Sequence, residues 1–226
     1  MLLELAIGDA YGAGFEYVDR EMIRQHNNLS CYVKHPRHNI QPGSYTDDTH
    51  RNIRPTSAKS GAALRAAPIG IYPTLSLVIE RCTIQAALTH NTPDGINAAV
   101  AAALMTHYFL YNLGPKKELG IFLEEHVRGH WATPWTGKVK SQGWMSVQAA
   151  VTALLRSDTM RELLKTCIQF SGDVDTVAAI ALAAGSCSTE IAQDLPVHLI
   201  DALENGQYGR DYIHLLDTQL MAFFAQ

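Results

Sequence analysis

Cysteine is scarce and scattered in this chain of 226 residues: Cys31, Cys82, Cys167 and Cys187 lie far apart, with no CxxC pair. That spacing suggests neither a zinc site nor a disulfide framework, so a reducing, cytoplasmic location is expected. Charge is modest and slightly acidic, with 18 Lys and Arg against 22 Asp and Glu for a net charge of −4. There is no basic excess to hold a phosphate backbone, so nucleic acid is expected only as a modified substrate. Strand signals are weak, because no hairpin dipeptide sits between alternating apolar runs. No repeat of solenoid length is present. No secretory signal is visible either: Met1-Leu2-Leu3 runs straight into Glu4, with no basic start and no cleavage site before Gly8-Asp9. The one long stretch poor in charge, Gly95 to Leu113, is Ala-rich and includes Asn97, Thr106, His107 and Asn112. A buried central helix explains it better than a membrane span, which needs ~20 predominantly apolar residues. What the chain does have is apolar side chains, 47% of the total, enough to exclude disorder as its main state.

Those apolar residues recur at helical spacing. Three- and four-residue spacings run through Leu75, Leu77, Val78, Cys82, Ile84 and Leu88, through Val147, Ala150, Val151 and Leu154, and then through Leu163, Leu164, Cys167 and Ile168. Pro93-Asp94 is expected to open the Ala-rich helix and Gly114-Pro115 to close it. Further helices are expected from Pro115 to about Val127, from Pro196 to about Leu203, and from Arg210 to about Phe224. Asn27 to Ser44 and Gly129 to Gly143, rich in Gly, Pro, His and Asn, read as loops. The expected result is one all-α domain over residues 1–226.

Two acidic segments look alike: Tyr45-Thr46-Asp47-Asp48-Thr49 and Ser171-Gly172-Asp173-Val174-Asp175-Thr176. Each sets two carboxylates beside a Thr hydroxyl. One reading is helix capping, since Asp and Thr are good N-caps and acids suit a helix start. Capping needs only one acceptor, however, and a second carboxylate adds repulsion unless a cation is present. The other reading is a set of hard oxygen donors for Mg²⁺, Mn²⁺ or Ca²⁺. Adjacent helical side chains diverge by about 100°, so Asp47 and Asp48 suit two neighbouring ions better than one. A pair of ions orients and activates water.

Four blocks together resemble the ADP-ribosylglycohydrolase family. They are Gly8-Asp9-Ala10-Tyr11-Gly12 with Phe15-Glu16, Tyr45-Thr46-Asp47-Asp48-Thr49, Ser60 to Gly70, and Gly172-Asp173-Val174-Asp175-Thr176-Val177-Ala178-Ala179-Ile180. Thr89-His90 is a weaker fifth match. The resemblance implies a compact, orthogonal multi-helix fold with two Mg²⁺ or Mn²⁺ ions in a cleft. It implies hydrolysis of the bond joining ADP-ribose to an acceptor, often an arginine side chain. By matching positions, Thr46, Asp47, Asp48, Asp173, Asp175 and Thr176 would be metal ligands. Glu16 would bind metal, serve as general base, or do both, alongside Asp47 and Asp48 in the catalytic centre. Ser57, Lys59, Ser60 and Gly61 fall in the loop that lies along the diphosphate and ribose, and His90 would sit near the ribose. Positive charge develops at the anomeric carbon as such a bond breaks, which suits oriented water and a carboxylate base. The expected partner is an ADP-ribosylated protein or an ADP-ribose-like ligand, with no membrane and a monomeric enzyme.

Structural readings stand beside these. Asp9 reads as a helix-end acceptor, and Arg65 as a partner of an internal carboxylate or helix end rather than of substrate. His90 could merely complement a helix C-terminus. Trp131, Trp135 and Trp144 read as packing residues before they read as walls of a nucleotide cleft.

Three departures from the family pattern matter. Ser171 stands where a Gly is common, and Ser60 where Asn is common. The third is larger: only His50, Arg51, Asn52 and Ile53 separate Thr49 from Arg54-Pro55-Thr56-Ser57, where the family has several tens of residues. Pro55 would cut a helix starting at Thr49 to about a turn. Either the chain is shortened between 49 and 54, or a segment there is missing from the sequence. The intact blocks on both sides favour the second. Two rivals follow. A silent ADP-ribose-binding or toxin-countering protein of the same fold would bind without turnover. A two-metal phosphohydrolase would release AMP instead of intact ADP-ribose.

Overall fold

The computed structural model describes residues 20–26, 33–36, 39, 41, 55–197, 207 and 210–224. The chain divides into two units, residues 1–55 and 56–226. In the first, helix α1 (Arg20–His26) carries a side-chain bond across one turn, Gln25 Nε2 donating to Glu21 Oε1 at 2.7 Å. The loop expected at Asn27 to Ser44 lies mostly outside the described residues.

The second unit is helical, and its β features among the described residues are isolated bridges. It opens with the single turn α2 (Gly61–Leu64), a 3₁₀ turn (Ala67–Ile71) and α3 (Leu75–Ala87). The Ala-rich run then forms α4 (Pro93–Leu110). Thr92 caps it, its Oγ1 accepting from Gly95 N at 3.1 Å, and Pro93 occupies the first turn. Every residue from Ala98 to Phe109 is buried, so this helix has no wet face. Its small side chains let α2, α3, the 3₁₀ turn, α6 (Gly143–Arg156) and α8 (Val174–Gly185) pack around it. At Gly70 a β-carbon would collide with Ala103 O on α4. There His107 Nδ1 also bonds Gly70 O at 2.9 Å.

The end of α4 comes earlier than Gly114-Pro115 suggests. Asn112 takes a left-handed φ of 50°, Asn112 N donates to Phe109 O at 3.1 Å and Leu113 N to Tyr108 O at 3.0 Å. These two bonds close the helix, with Asn in place of the usual glycine. A 3₁₀ turn (Lys116–Glu118) then leads into α5 (Leu119–His126). The loop before Gly143 is ordered by burial of Trp131 and Val139. Helices α6, α7 (Met160–Gln169) and α8 pack on one another. Residues 198–206, most of the helix expected from Pro196, lie outside the described residues. Helix α9 (Arg210–Phe224) forms where its periodicity places it. No helix among the described residues is long and apolar enough to cross a membrane.

Candidate active site

The second acidic segment sits on a turn that its sequence makes unusual. Ser171 has φ 58° and Gly172 φ 91°, two successive left-handed residues. Val139 clamps this turn from the preceding loop: Val139 N donates to Ser171 O at 3.0 Å, and Asp173 N donates to Val139 O at 3.1 Å. A β-carbon at Gly172 would collide with that carbonyl, so only glycine fits. Ser171 occupies a conformation that explains why glycine is common there in the family.

The turn delivers Asp173 to the start of α8, yet its carboxylate makes no capping bond to the helix backbone. Instead Oδ1 accepts from Thr176 Oγ1 at 3.0 Å, and Oδ2 accepts from Ser146 Oγ at 3.4 Å. Thr176 Oγ1 lies 3.4 Å from Ser60 Oγ. Four oxygen-bearing side chains, two from the start of α8, one from α6 and one from the end of a loop, therefore meet at one place. Thr176 and Ser146 are buried, Asp173 is half-buried and Asp175 is exposed. Ser146 went unnoticed in the sequence, because a lone Ser between Met145 and Val147 carries no signal. These are hard oxygen donors of the kind a divalent cation takes, so the residues fit one side of such a site. Among the described residues no three His, Cys, Asp or Glu side chains gather as a metal-ligand group. Glu16, Thr46, Asp47 and Asp48 lie outside the described residues, as do Asp9 and the junction from Thr49 to Arg54.

The loop from Ser57 to Gly61 borders this oxygen cluster. Ser57 O accepts from Thr92 Oγ1 at 2.9 Å, Ser57 Oγ accepts from Lys59 N at 3.2 Å, and Ala58 O accepts from Gly143 N at 3.0 Å. The loop is thus tied to the starts of α4 and α6, while the Lys59 side chain is exposed. The sequence placed Ser57, Lys59, Ser60 and Gly61 together, and the fold holds them as one segment.

His90 is buried at the end of α3, and a β-carbon on Gly61 would sit 3.6 Å from its Nε2. Arg65 reaches the same end: Nη2 donates to Thr89 Oγ1 at 2.6 Å and to Gln85 O at 3.4 Å, and Nε donates to Gln85 Oε1 at 2.5 Å. Arg65 is therefore a helix-end partner, one of the two roles its sequence context suggests. The Thr89 hydroxyl, which accepts from Arg65, also lies 2.7 Å from His90 Nδ1. His90 Nε2 faces the side of Gly61. Burial, and secondarily the Arg65 charge, push the His90 pKa below its ordinary value. An imidazole that resists protonation beside the loop can hydrogen-bond a polar ligand atom with little added charge.

Residues 50–224 match the model of the ADP-ribosylglycohydrolase family. The chain belongs to that family, whose members hydrolyse ADP-ribose conjugates and are generally dependent on a divalent metal. The matched segment includes the Ser57–Gly61 loop, His90, Asp173, Asp175 and Thr176, and begins after Glu16, Thr46, Asp47 and Asp48. No curated protein matches the chain.

Proposed function

We propose that this member of the ADP-ribosylglycohydrolase family is a metal-dependent hydrolase that cleaves the N-glycosidic bond between ADP-ribose and a protein arginine side chain. The carrying observation is Asp173: it stands where a helix cap belongs, yet bonds Thr176 and Ser146 instead of the backbone. In this reading Thr46, Asp47, Asp48, Asp173, Asp175 and Thr176 hold two Mg²⁺ or Mn²⁺ ions. When bound, the ions supply charge that orients water and ribose hydroxyls at the anomeric carbon. Ser146 holds Asp173 in its rotamer, leaving the rest of the carboxylate to the ligand. Glu16 takes the proton of the attacking water. Ser57, Lys59, Ser60 and Gly61 follow the diphosphate, Lys59 as an exposed point charge. His90 faces the ribose through Nε2. Residues 1–226 act together as one cytoplasmic, monomeric domain on an ADP-ribosylated protein.

A silent binder is the second reading, favoured by the short junction from Thr49 to Pro55 and by Ser60 in place of Asn. Product analysis with Asp175→Ala separates the two. The hydrolase reading expects intact ADP-ribose from the wild type and loss of turnover in the variant, with helical content retained. Wild-type-like turnover in Asp175→Ala contradicts the assignment. ADP-ribose binding without turnover under any divalent metal favours the binder.

A further inference from the structure

The backbone of His90 is fixed by its neighbours. His90 N donates to Ala86 O at 2.7 Å, and Thr92 N donates to His90 O at 2.8 Å. Thr56, just before the loop, forms an antiparallel bridge with it. Gly95 of α4 closes on it from the other helix: a β-carbon there would come within 2.9 Å of His90 Cβ and of Ser57 O.

The ring has a freedom that the backbone lacks. Rotation of an imidazole about Cβ–Cγ has two broad wells about 180° apart. Turning between them exchanges Nδ1 with Cδ2 and Nε2 with Cε1. A β-carbon on Gly61 would lie 3.5 Å from Cε1 and 3.6 Å from Nε2, so both atoms border the Ser57–Gly61 loop. Which of the two places holds the nitrogen depends on what holds Nδ1. Among the described residues that is the Thr89 hydroxyl, 2.7 Å away. In the turned ring Cδ2 would meet the hydroxyl instead, and the hydrogen bond would be lost.

Thr89 is in turn held by Arg65. Among the described residues the guanidinium makes its shortest bonds to side chains, Thr89 Oγ1 at 2.6 Å and Gln85 Oε1 at 2.5 Å. Its bonds to carbonyls are longer, 3.3 Å to Gly61 O and 3.4 Å to Gln85 O. A residue that only closed a helix end would spend its best bonds on the carbonyls. Gln85 ties the same two helices in the other direction, its Nε2 donating to Ala62 O at 3.1 Å.

Resting on the proposed function, we infer that Thr89 and Arg65 are positioning residues: Thr89 selects the ring orientation of His90 that turns Nε2 to the loop and the ribose, and Arg65 holds Thr89 in place to do so. Both act through His90.

The test uses the full chain with Thr89→Val, which keeps the side-chain shape and removes the hydroxyl, Thr89→Ser, which keeps the hydroxyl, and Arg65→Met. Each is also combined with His90→Ala, and circular dichroism monitors folding. The first readout, which needs no turnover, is the ¹⁵N spectrum of the His90 ring at pH 8. Thr89→Val and Arg65→Met should shift the Nδ1 signal and leave His107 unchanged, and Thr89→Ser should keep it near the wild-type position. The second is kcat/KM on an arginine-ADP-ribosylated protein with Mg²⁺. Thr89→Val and Arg65→Met should lower it about three- to tenfold, the size of one lost hydrogen bond. Thr89→Ser should stay near wild type, and no further loss should appear on His90→Ala. His90 resonances unmoved in folded Thr89→Val overturn the inference, as does unchanged kcat/KM in that variant. A loss that persists in full on the His90→Ala background also overturns it, since a structural role alone produces that additivity. If the wild type releases no ADP-ribose while Thr89→Val shifts the Nδ1 signal and Thr89→Ser does not, the hydrolase reading falls and the selection of the ring orientation stands.

Discussion

Gly172→Ala and Ser171→Gly exchange the same two residue types or their like at neighbouring left-handed positions, and should act in opposite directions. At Gly172, φ is 91° and an added β-carbon collides with Val139 O. The backbone strain costs about 1–3 kcal/mol. The turn must also give up the Asp173 N to Val139 O bond, a further loss of about 1 kcal/mol. Gly172→Ala should therefore destabilise by about 2–4 kcal/mol, which at a urea slope of about 2 kcal/mol/M moves the midpoint down by about 1–2 M. Ser171 at φ 58° already bears a left-handed cost of roughly 1–2 kcal/mol. Glycine there relieves that cost, against about 0.5–1 kcal/mol of extra chain entropy lost on folding. Ser171→Gly should be neutral or stabilise by up to about 1 kcal/mol. Equilibrium urea unfolding of the three proteins measures both. A Gly172→Ala loss below about 0.5 kcal/mol would refute the clamp by Val139 and, with it, the account of how Asp173 is held.

Other predictions concern the site and the core. Ser146→Ala frees Asp173 Oδ2 and should lower turnover about three- to tenfold at saturating substrate, with little change in helical content; unchanged turnover removes Ser146 as a positioning residue. The lowered pKa of His90 means that the native state resists its protonation. The unfolded chain binds that proton more readily, so this contribution to stability is present above about pH 6.5 and is lost as the pH falls below it. His107, lowered chiefly by burial, acts in the same direction. NMR titration should find both imidazoles titrating below the ordinary histidine value, and an ordinary titration of His90 would contradict its burial beside Arg65. Burial pushes the Cys82 and Cys167 thiols up to about 12, so neither should react with iodoacetamide in the native protein at pH 8, while both react in urea.

The helices were largely legible because their apolar spacing and their caps agree. Thr92, Pro93 and the alanines announce α4, and burial on every side follows from a stretch with almost no charge. Its end was misplaced by a few residues because Asn112 does the work expected of Gly114, and Asn in a left-handed cap is harder to read than Gly. At the site, the motif residues Asp173 and Thr176 were visible, since two carboxylates beside a hydroxyl exceed what a cap needs. Whether Asp173 capped the helix was not visible; that depends on Ser146 and Val139, which lie 27 and 34 positions earlier in sequence. The relay from Arg65 through Thr89 to His90 was half legible, as a helix-end role for Arg65. Trp144, which reads as a packing residue in the sequence, does pack against the core, half-buried and edge-on to Trp135. Long-range packing decides such cases, and residue type alone does not.

The most direct test is release of ADP-ribose from an arginine-ADP-ribosylated protein by the full chain, with Mg²⁺ or Mn²⁺ and with EDTA in parallel. The account predicts intact ADP-ribose with metal and none with EDTA. Release of AMP, or no release from a folded protein with either metal present, would contradict it.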